Sequence, residues 1–201
     1  MGIYAIKPKF QSFLSPITNW LIKNKISPTT LNFFGLVLSI LAGLCIYYSN
    51  LEPLFLLLIP LLVFIRTAVN ALDGLVSRAL GLASAFGEVL NEFLDRISDV
   101  FIFFSIALLE ENLLVIGSVA VIVILLNSYL SIVSKAAGGK RQYGGIMGKA
   151  DRMIYLGLFA LVVFLTKNSE LWKYFLWFIL VGTVITLIQR FLTTKRELDH
   201  A

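Results

Sequence analysis

The chain has 201 residues, of which 58% are hydrophobic and 14% charged, and its formal net charge at pH 7 is +5. So many long apolar segments in so short a chain exclude a soluble globular domain, because only lipid can surround them. In a membrane protein, the positive charge favours anionic headgroups and phosphorylated substrates, and it argues against nucleic acid as a partner.

The first thirty residues are predicted to form an amphipathic helix that lies along the membrane surface. Apolar residues recur there at helical spacing and lysines follow them, which is the pattern of an interfacial helix. Three prolines interrupt the segment, and no apolar core precedes a small-residue cleavage site, so it is not expected to be a signal peptide. The recurring apolar residues are Phe10, Phe13, Leu14, Ile17, Trp20 and Leu21.

Apolar segments fill the rest of the chain, and about 20 such residues can span a bilayer. Each span must be helical, because lipid offers no partners to the backbone and the alternating pattern of a β-barrel is missing. The predicted fold class is therefore an all-α integral membrane protein. Its six transmembrane helices would form one domain at residues 31–192, between the interfacial helix at 1–30 and a cytoplasmic tail at 193–201. The spans are predicted at residues 31–48, 53–69, 89–109, 113–133, 153–165 and 171–192.

Basic residues concentrate on one side of these spans, and such residues favour cytoplasmic loops. The opposite loops, at residues 49–52, 110–112 and 166–170, contain Lys167 and four glutamates. Both termini and the active site should therefore face the cytoplasm. The expected location is a multi-pass integral membrane protein, in the plasma (inner) membrane if the source is prokaryotic. The basic residues of the predicted cytoplasmic side include Lys23, Lys25, Arg78, Lys135, Lys140, Arg141, Lys149, Arg152, Lys195 and Arg196.

Polar residues interrupt the apolar sequence where the second span ends and the third begins. Such groups are costly within a membrane, so a catalytic or transport site is the default interpretation. They recur every three or four residues and therefore lie on one face of each helix. The link between the two helices is short, so the helices should be adjacent and antiparallel, with their polar faces meeting below the cytoplasmic surface. The first polar face comprises Asn70, Asp73, Gly74 and Ser77, and the second comprises Asn91, Asp95 and Asp99.

Facing carboxylate and amide oxygens predict a site for a hard divalent cation. Mg²⁺ or Mn²⁺ suits such a site best, since neither histidine nor cysteine is available there. The single cysteine, Cys45, lies within an apolar span, and the single histidine is His200.

These residues resemble the motif of the CDP-alcohol phosphotransferases, integral membrane enzymes of phospholipid synthesis. That motif runs D-x-x-D-G-x-x-A-R, eight residues, then G-x-x-x-D-x-x-x-D. The resemblance extends to six helices, an amphipathic N-terminal helix and the start of the first span, Ile26-Ser-Pro28-Thr-Thr-Leu31-Asn32. The chain matches the motif at Asp73, Gly74, Arg78, Gly87 and Asp95. It departs from the motif at Asn70 and Asn91, where the family usually has aspartate, and at Ser77, where the family has alanine.

The resemblance implies a metal-dependent transferase that moves a phosphatidyl or similar group from a CDP-linked donor to a small alcohol and releases CMP. Asp95 would be the general base that accepts the proton of the acceptor hydroxyl. Glycine at two positions would let the two helices and the nucleotide approach closely. A homodimer through the later helices is also implied. The implied metal ligands are Asn70, Asp73, Asn91 and Asp95, with Asp99 able to restore one lost charge. The implied nucleotide-binding residues are Asp73, Gly74, Ser77, Arg78 and Gly87.

A second polar cluster joins the fourth span to the fifth and resembles the acceptor side of the family. Its glycines allow a loop that folds over a ligand, and its basic residues can bind a phosphate of the acceptor or of a lipid. The acceptor would thus be a small alcohol that carries a phosphate in some relatives. A loop that contacts only anionic membrane lipid is the alternative for Lys135 and Lys140. The candidate phosphate-binding residues are Lys135, Arg141, Lys149 and Arg152.

Three other interpretations stay open. Asparagine at two acidic positions of the motif, Asn70 and Asn91, is compatible with a catalytically inactive relative that has a lipid-binding or regulatory role. The polar residues can also be interhelical hydrogen-bond partners, with Asp95 paired to Arg96 or Arg78. A small-solute transporter would need its acids near the bilayer centre, whereas Asp73 and Asp95 lie near the cytoplasmic boundary, which favours the enzyme.

Overall fold

The computed structural model describes residues 7–199 of the chain, and all the regular secondary structure in that range is helical. The first six residues of the predicted interfacial helix lie outside the described residues, and so do His200 and Ala201. The α-helices are α1 (Lys7–Phe13), α2 (Ser15–Lys23), α3 (Pro28–Tyr48), α4 (Leu58–Ala79), α5 (Ala85–Ala107), α6 (Glu111–Ala136), α7 (Lys149–Thr166) and α8 (Leu171–Asp199), and a short 3₁₀-helix, Pro53–Leu57, leads into α4.

Four helical segments are long and apolar enough to cross a membrane. They are Pro28–Tyr48, Pro53–Ala79, Glu111–Ala136 and Leu171–Asp199. This confirms an all-helical chain with several candidate membrane spans. The other two long helices, α5 and α7, contain 23 and 18 residues, but every 18-residue stretch of them includes at least three Asp, Glu, Lys or Arg residues. Those charged side chains are the ones that build the candidate site.

Side chains at the helix starts explain where several helices begin. The Ser27 hydroxyl accepts a hydrogen bond from the Thr30 amide at 3.0 Å, and Pro28 supplies the first residue of α3. The Ser84 hydroxyl accepts a hydrogen bond from the Gly87 amide at 3.0 Å, which starts α5. The short link after Arg78 thus ends in a fixed cap, so the start of α5 is held firmly.

The N-terminal segment forms two helices that meet at Leu14, where one continuous helix was expected. Leu14 and Leu21 are buried in a cluster with residues of α4, while Ile17 and Trp20 are exposed. The segment therefore packs on α4 with one apolar face and presents another to its surroundings. At the other end of the chain, α8 runs through Asp199, so the predicted tail at 193–201 continues this helix as far as it is described.

Helix α3 packs between the two helices that carry the polar motif, α4 and α5. It packs against both α4 and α5, while α6 packs against α5 and α8, and α7 packs against α4. Within residues 7–199, α4 and α5 have little close backbone contact with each other. They meet instead through polar side chains, which leaves the space between them to the site.

Gly43 allows the close packing of α3 on α5. A Cβ atom there would lie 2.6 Å from the carbonyl oxygen of Phe101 and 2.8 Å from Ser105 Oγ. We expect Gly43→Ala to lower the free energy of unfolding by about 1–3 kcal/mol, because the backbone of Phe101 cannot move without shifting α5. Thermal unfolding in detergent, followed by a thiol-reactive dye on Cys45, measures the effect.

Gly35→Ala is the matched control on the same helix. A Cβ atom at Gly35 would meet only Val69 Cγ1, at an ordinary 3.8 Å. Alanine favours helix over glycine by up to about 1 kcal/mol, so this variant should be neutral or stabilised. Equal melting temperatures for the two variants would contradict the packing argument.

Candidate active site

The polar faces of α4 and α5 converge on the carboxylate of Asp95. The Asn70 side-chain amide donates to the two Asp95 oxygens at 3.3 and 3.4 Å. Asp73, three residues further along α4, interacts electrostatically with Asp95 and Lys149. Asn91 lies with Asn70 and Asp95 in the wall of a cavity of about 10 Å³, roughly the space of one water molecule. The structure thus brings together four of the five predicted metal ligands.

Asp73 is the residue of this group with unused bonding capacity. One of its oxygens accepts a hydrogen bond from the Gly74 amide, while Oδ2 is buried without a hydrogen-bond partner among the described residues. An unpaired buried carboxylate oxygen is costly unless a cation satisfies it. In residues 7–199 no three His, Cys, Asp or Glu side chains converge. Two carboxylates and two amides still form an oxygen set that fits Mg²⁺ or Mn²⁺.

Four acidic residues on one face of α5 pair with four basic residues of the α6–α7 region, in the same order along the chain. We call these four ion pairs the charge ladder. The acids recur every three or four residues, which keeps them on one face of α5. All four can therefore face the α6–α7 region. The pairs are Glu88 with Lys135, Glu92 with Arg141, Asp95 with Lys149, and Asp99 with Arg152.

The first pair of the charge ladder is the most exposed and the last pair is the most buried. Glu88 and Lys135 are 45% and 53% exposed, whereas Asp99 and Arg152 are 0% and 3% exposed. An exposed pair contributes little, but a buried charge needs its partner. Asp99 Oδ2 lies 3.3 Å from Arg152 and 3.8 Å from Arg96. Asp99 therefore contacts two cations of the protein, Arg152 and Arg96.

The loop between α6 and α7 is held by hydrogen bonds to α6 and α8. The hydroxyl groups of Ser131 and Ser134 donate to loop carbonyls at 2.6 and 2.9 Å, and the Met147 amide donates to Thr186 Oγ1 at 2.8 Å. Gly138 and Gly145 adopt positive φ angles of 92° and 114°, which glycine tolerates best. The loop is therefore a defined wall beside α5.

Arg141 extends from this loop towards Glu92. Burial lowers the pKa of the Arg141 guanidinium, but the Glu92 carboxylate outweighs burial and raises the pKa above its usual value. The guanidinium also lies over the Tyr143 ring, 4.8 Å from its centre. Arg141 is therefore a permanent cation with a fixed direction.

The predicted nucleotide-binding residues lie at the ends of α4 and α5. Arg78 is exposed, and a Cβ atom at Gly74 would meet only its guanidinium, at 3.4 Å. A Cβ atom at Gly87 would meet only Ser84 Oγ, at 3.1 Å. A Cβ atom at either glycine would thus meet no atom of the other helix within 4 Å among the described residues, so a close approach of α4 and α5 does not require glycine there, contrary to the prediction. The space beside Gly74 faces Arg78 and Ser77 follows it one turn later, so this end of α4 can accommodate a ligand.

Sequence reasoning missed two basic residues that the structure brings to the site, Arg66 and Arg190. Arg66 lies 3.6 Å from Asp95, and Arg96, which the sequence offered as a partner of Asp95, lies 3.8 Å from it. Arg190 of α8 donates to the carbonyls of Gly144 and Asn127 at 2.8 and 3.2 Å. The sequence could have pointed to Arg66, since this charged residue interrupts an apolar segment one turn before Asn70 on the same helix face. No sequence pattern pointed to Arg190, because its helix carries no motif.

The chain resembles known proteins along most of its length. The sequence model described as CDP-alcohol phosphatidyltransferase matches residues 25–188. The inner membrane protein YnbA of Escherichia coli is 33% identical over 88% of either chain. A phosphatidylinositol phosphate synthase of Streptomyces avermitilis is 29% identical, over 96% of this chain and 82% of that protein.

Solved structures show the same fold. The crystal structure of the Mycobacterium tuberculosis phosphatidylinositol phosphate synthase (PgsA1) in complex with manganese and citrate has a TM-score of 0.73 and 23% identity, over 89% of this chain and 87% of that chain. The structure of that synthase with CDP-DAG bound also has a TM-score of 0.73, with 24% identity, over 89% and 92% of the two chains.

Proposed function

We infer the reaction of this protein from its family. The chain belongs to the CDP-alcohol phosphatidyltransferase family, and it is a CDP-alcohol phosphotransferase of phospholipid synthesis. It moves a phosphatidyl or similar group from a CDP-linked donor to an alcohol and releases CMP. The resemblance found in the motif is thereby confirmed. Its residue roles, membrane topology and acceptor are proposals developed below.

We propose that α5 and α7 cross the membrane together with the four more apolar segments, which gives six spans. Three of the four acids of α5, Glu88, Glu92 and Asp95, lie in its first half, and Lys149 begins α7, so these charges gather at one end of the bundle. Arg78 and the α6–α7 loop lie at that same end. The positive-inside rule then places this end and both termini in the cytoplasm.

We propose that Mg²⁺ or Mn²⁺ binds to Asn70, Asp73, Asn91 and Asp95. The unpartnered Asp73 oxygen supports this assignment, and so does the manganese in the complex of the mycobacterial synthase. When bound, the cation would supply positive charge to the donor diphosphate and the leaving CMP. Asp99 is assigned to holding Arg152, because its described contacts are with Arg152 and Arg96.

Asp95 is the proposed general base. Its carboxylate is 15% exposed and is held on different sides by Asn70, Arg66 and Lys149. It would accept the proton of the acceptor hydroxyl as that oxygen attacks the β-phosphorus of the donor. Arg78, exposed beside Gly74, would bind the diphosphate, and Ser77 and Gly87 would border the nucleotide.

The observation that carries this proposal is the convergence of Asn70, Asp73 and Asp95 in a chain that matches the family over residues 25–188. Purified protein with CDP-diacylglycerol, Mn²⁺ and a panel of alcohols tests it. We expect CMP release that needs both the metal and an acceptor. If CMP release is absent with every alcohol and neither Mn²⁺ nor CDP-diacylglycerol binds, the inactive, lipid-binding relative becomes the better interpretation.

The acceptor side is proposed to be the basic half of the charge ladder, Lys135, Arg141, Lys149 and Arg152. These cations share one wall with the loop between α6 and α7, beside Asp95. Relatives of the chain include phosphatidylinositol phosphate synthases, which favours an acceptor that carries a phosphate. Such a phosphate would share each cation with an α5 carboxylate. The homodimer remains a prediction.

Glu92→Gln tests the proposed role of Arg141. The amide frees the Arg141 guanidinium, so the KM of a phosphorylated acceptor such as inositol phosphate should fall by about threefold to tenfold, while Arg141→Gln should raise it by a similar factor. The KM of CDP-diacylglycerol should change little in either variant. Steady-state CMP release at varied acceptor concentration measures both constants. Shifts of the acceptor KM in the same direction in both variants would contradict the role.

A further inference from the structure

Arg66 is a buried cation in the middle of α4. It is 2% exposed, and its Nε donates to Ser39 Oγ of α3 at 2.6 Å. The Ser39 hydroxyl in turn donates to the Gly35 carbonyl at 2.8 Å. The two terminal nitrogens of Arg66 make no hydrogen bond within the described residues, and one of them lies 3.6 Å from Asp95 Oδ1. The guanidinium is thus anchored at its Nε and directs its free end at Asp95.

A cation buried this deeply is costly unless a nearby carboxylate compensates it. Asp95 is the carboxylate in contact with Arg66, and it also contacts Lys149 and Arg96. Lys149 belongs to α7 and Arg96 to α5, so each approaches from a helix other than α4. Arg66 lies one turn before Asn70 on α4, further from the end of α4 that carries Arg78. It therefore supports Asp95 from the inner side of the site.

Arg66 lines a small cavity and is itself almost fully buried. The cavity, which it shares with Asn70, Asn91 and Asp95, is about 10 Å³, roughly the space of one water molecule. Apolar residues, Leu36 and Val69 among them, also line it. Arg66 can therefore act on the reaction through Asp95, the carboxylate that it contacts.

We propose that Arg66 is a positioning residue of the reaction. Anchored by Ser39, it fixes the Asp95 carboxylate from the inner side and leaves the opposite side of that carboxylate to the acceptor. The proposal rests on the proposed function, in which Asp95 is the general base. It adds a role for an arginine that lies outside the recognised motif.

The proposal has an electrostatic consequence that a purely structural arginine would not have. A fixed positive charge 3.6 Å from Asp95 opposes any divalent cation that shares this carboxylate. Removing the charge should therefore favour Mn²⁺ binding while it harms turnover. A residue that only held the fold together would weaken both when removed.

The experiment compares Arg66→Gln and Arg66→Lys in the full-length protein. For Arg66→Gln we expect kcat of CMP release to fall by about 30-fold to 100-fold, since Asp95 loses its orienting partner. The KM of CDP-diacylglycerol should stay within about threefold, and the affinity for Mn²⁺ alone should rise by about fivefold. Calorimetric titration with Mn²⁺ measures that affinity without turnover.

Arg66→Lys keeps the charge but cannot bridge Ser39 and Asp95 with a planar fork. It should lower kcat by about tenfold and leave the Mn²⁺ affinity unchanged. This variant also decides the matter if Arg66→Gln does not fold. Ser39→Ala removes the anchor alone and should reproduce the effect of the lysine variant on kcat.

Two outcomes would overturn the proposal. One is a folded Arg66 variant with the kcat of the unaltered protein. The other is a Mn²⁺ affinity that falls in Arg66→Gln together with kcat. If the unaltered protein released no CMP, the proposed function would fail by itself, and the Mn²⁺ titrations would still separate an Arg66 that opposes the cation from one that does not.

Discussion

Asp95→Asn should lower the rate of CMP release by about a thousandfold or more, because general base catalysis of this kind contributes about 10²–10⁴ in rate. The amide keeps the shape of the side chain but cannot accept the acceptor's proton. It also removes the carboxylate that Lys149 and Arg66 contact. The measurement is kcat with saturating CDP-diacylglycerol, Mn²⁺ and the best acceptor.

Glu111→Gln is the matched control for Asp95→Asn. It makes the same chemical change at the start of α6, where the side chain is exposed and distant in sequence from the motif. It should leave kcat unchanged. Folding of Asp95→Asn is checked by its melting temperature, since three nearby cations, Arg66, Arg96 and Lys149, lose a partner. A folded Asp95→Asn protein that turns over within about threefold of the unaltered protein would contradict the role of general base.

Asp73→Asn should weaken Mn²⁺ binding by about 100-fold and reduce CMP release at low metal to a similar degree. The change removes one of the two carboxylates in the oxygen set, and it is the one whose buried Oδ2 has no hydrogen-bond partner among the described residues. High Mn²⁺ should restore part of the rate. In the absence of metal the variant should melt at a higher temperature than the unaltered protein, because a buried neutral amide costs less than an unpaired carboxylate.

Asn91→Asp makes the opposite change at a neighbouring ligand. It restores a carboxylate that the family motif has at this position, so the Mn²⁺ affinity should rise by about tenfold. Calorimetric titration of the two variants side by side compares removal of a charge with its addition. Equal Mn²⁺ affinities of Asp73→Asn and the unaltered protein would remove Asp73 from the metal site.

The sequence alone predicted which residues gather at the candidate site, but it did not predict which residue each of them contacts. The three- and four-residue intervals of Asn70, Asp73 and Asp95 depend on helix geometry, which is local, and the structure places these residues together. The same intervals put Asp99 beside the metal site, although the structure directs it to Arg152. Helix periodicity predicts on which face of its helix a residue lies, but it does not predict which residue of another helix will contact that face.

By itself, then, the sequence determined the helices, the membrane setting and the family, because apolar length and motif spacing are written along the chain. The tertiary structure decided that α3 packs between the two motif helices, that Arg66 supports Asp95 and that the α5 acids pair in order with Lys135, Arg141, Lys149 and Arg152. The ion pairs among these contacts join residues that lie 29 to 54 positions apart, in different helices or in the loop between α6 and α7. Which residues form these contacts depends on how the helices pack, because a buried charge must pair with an opposite charge that the packing brings within reach.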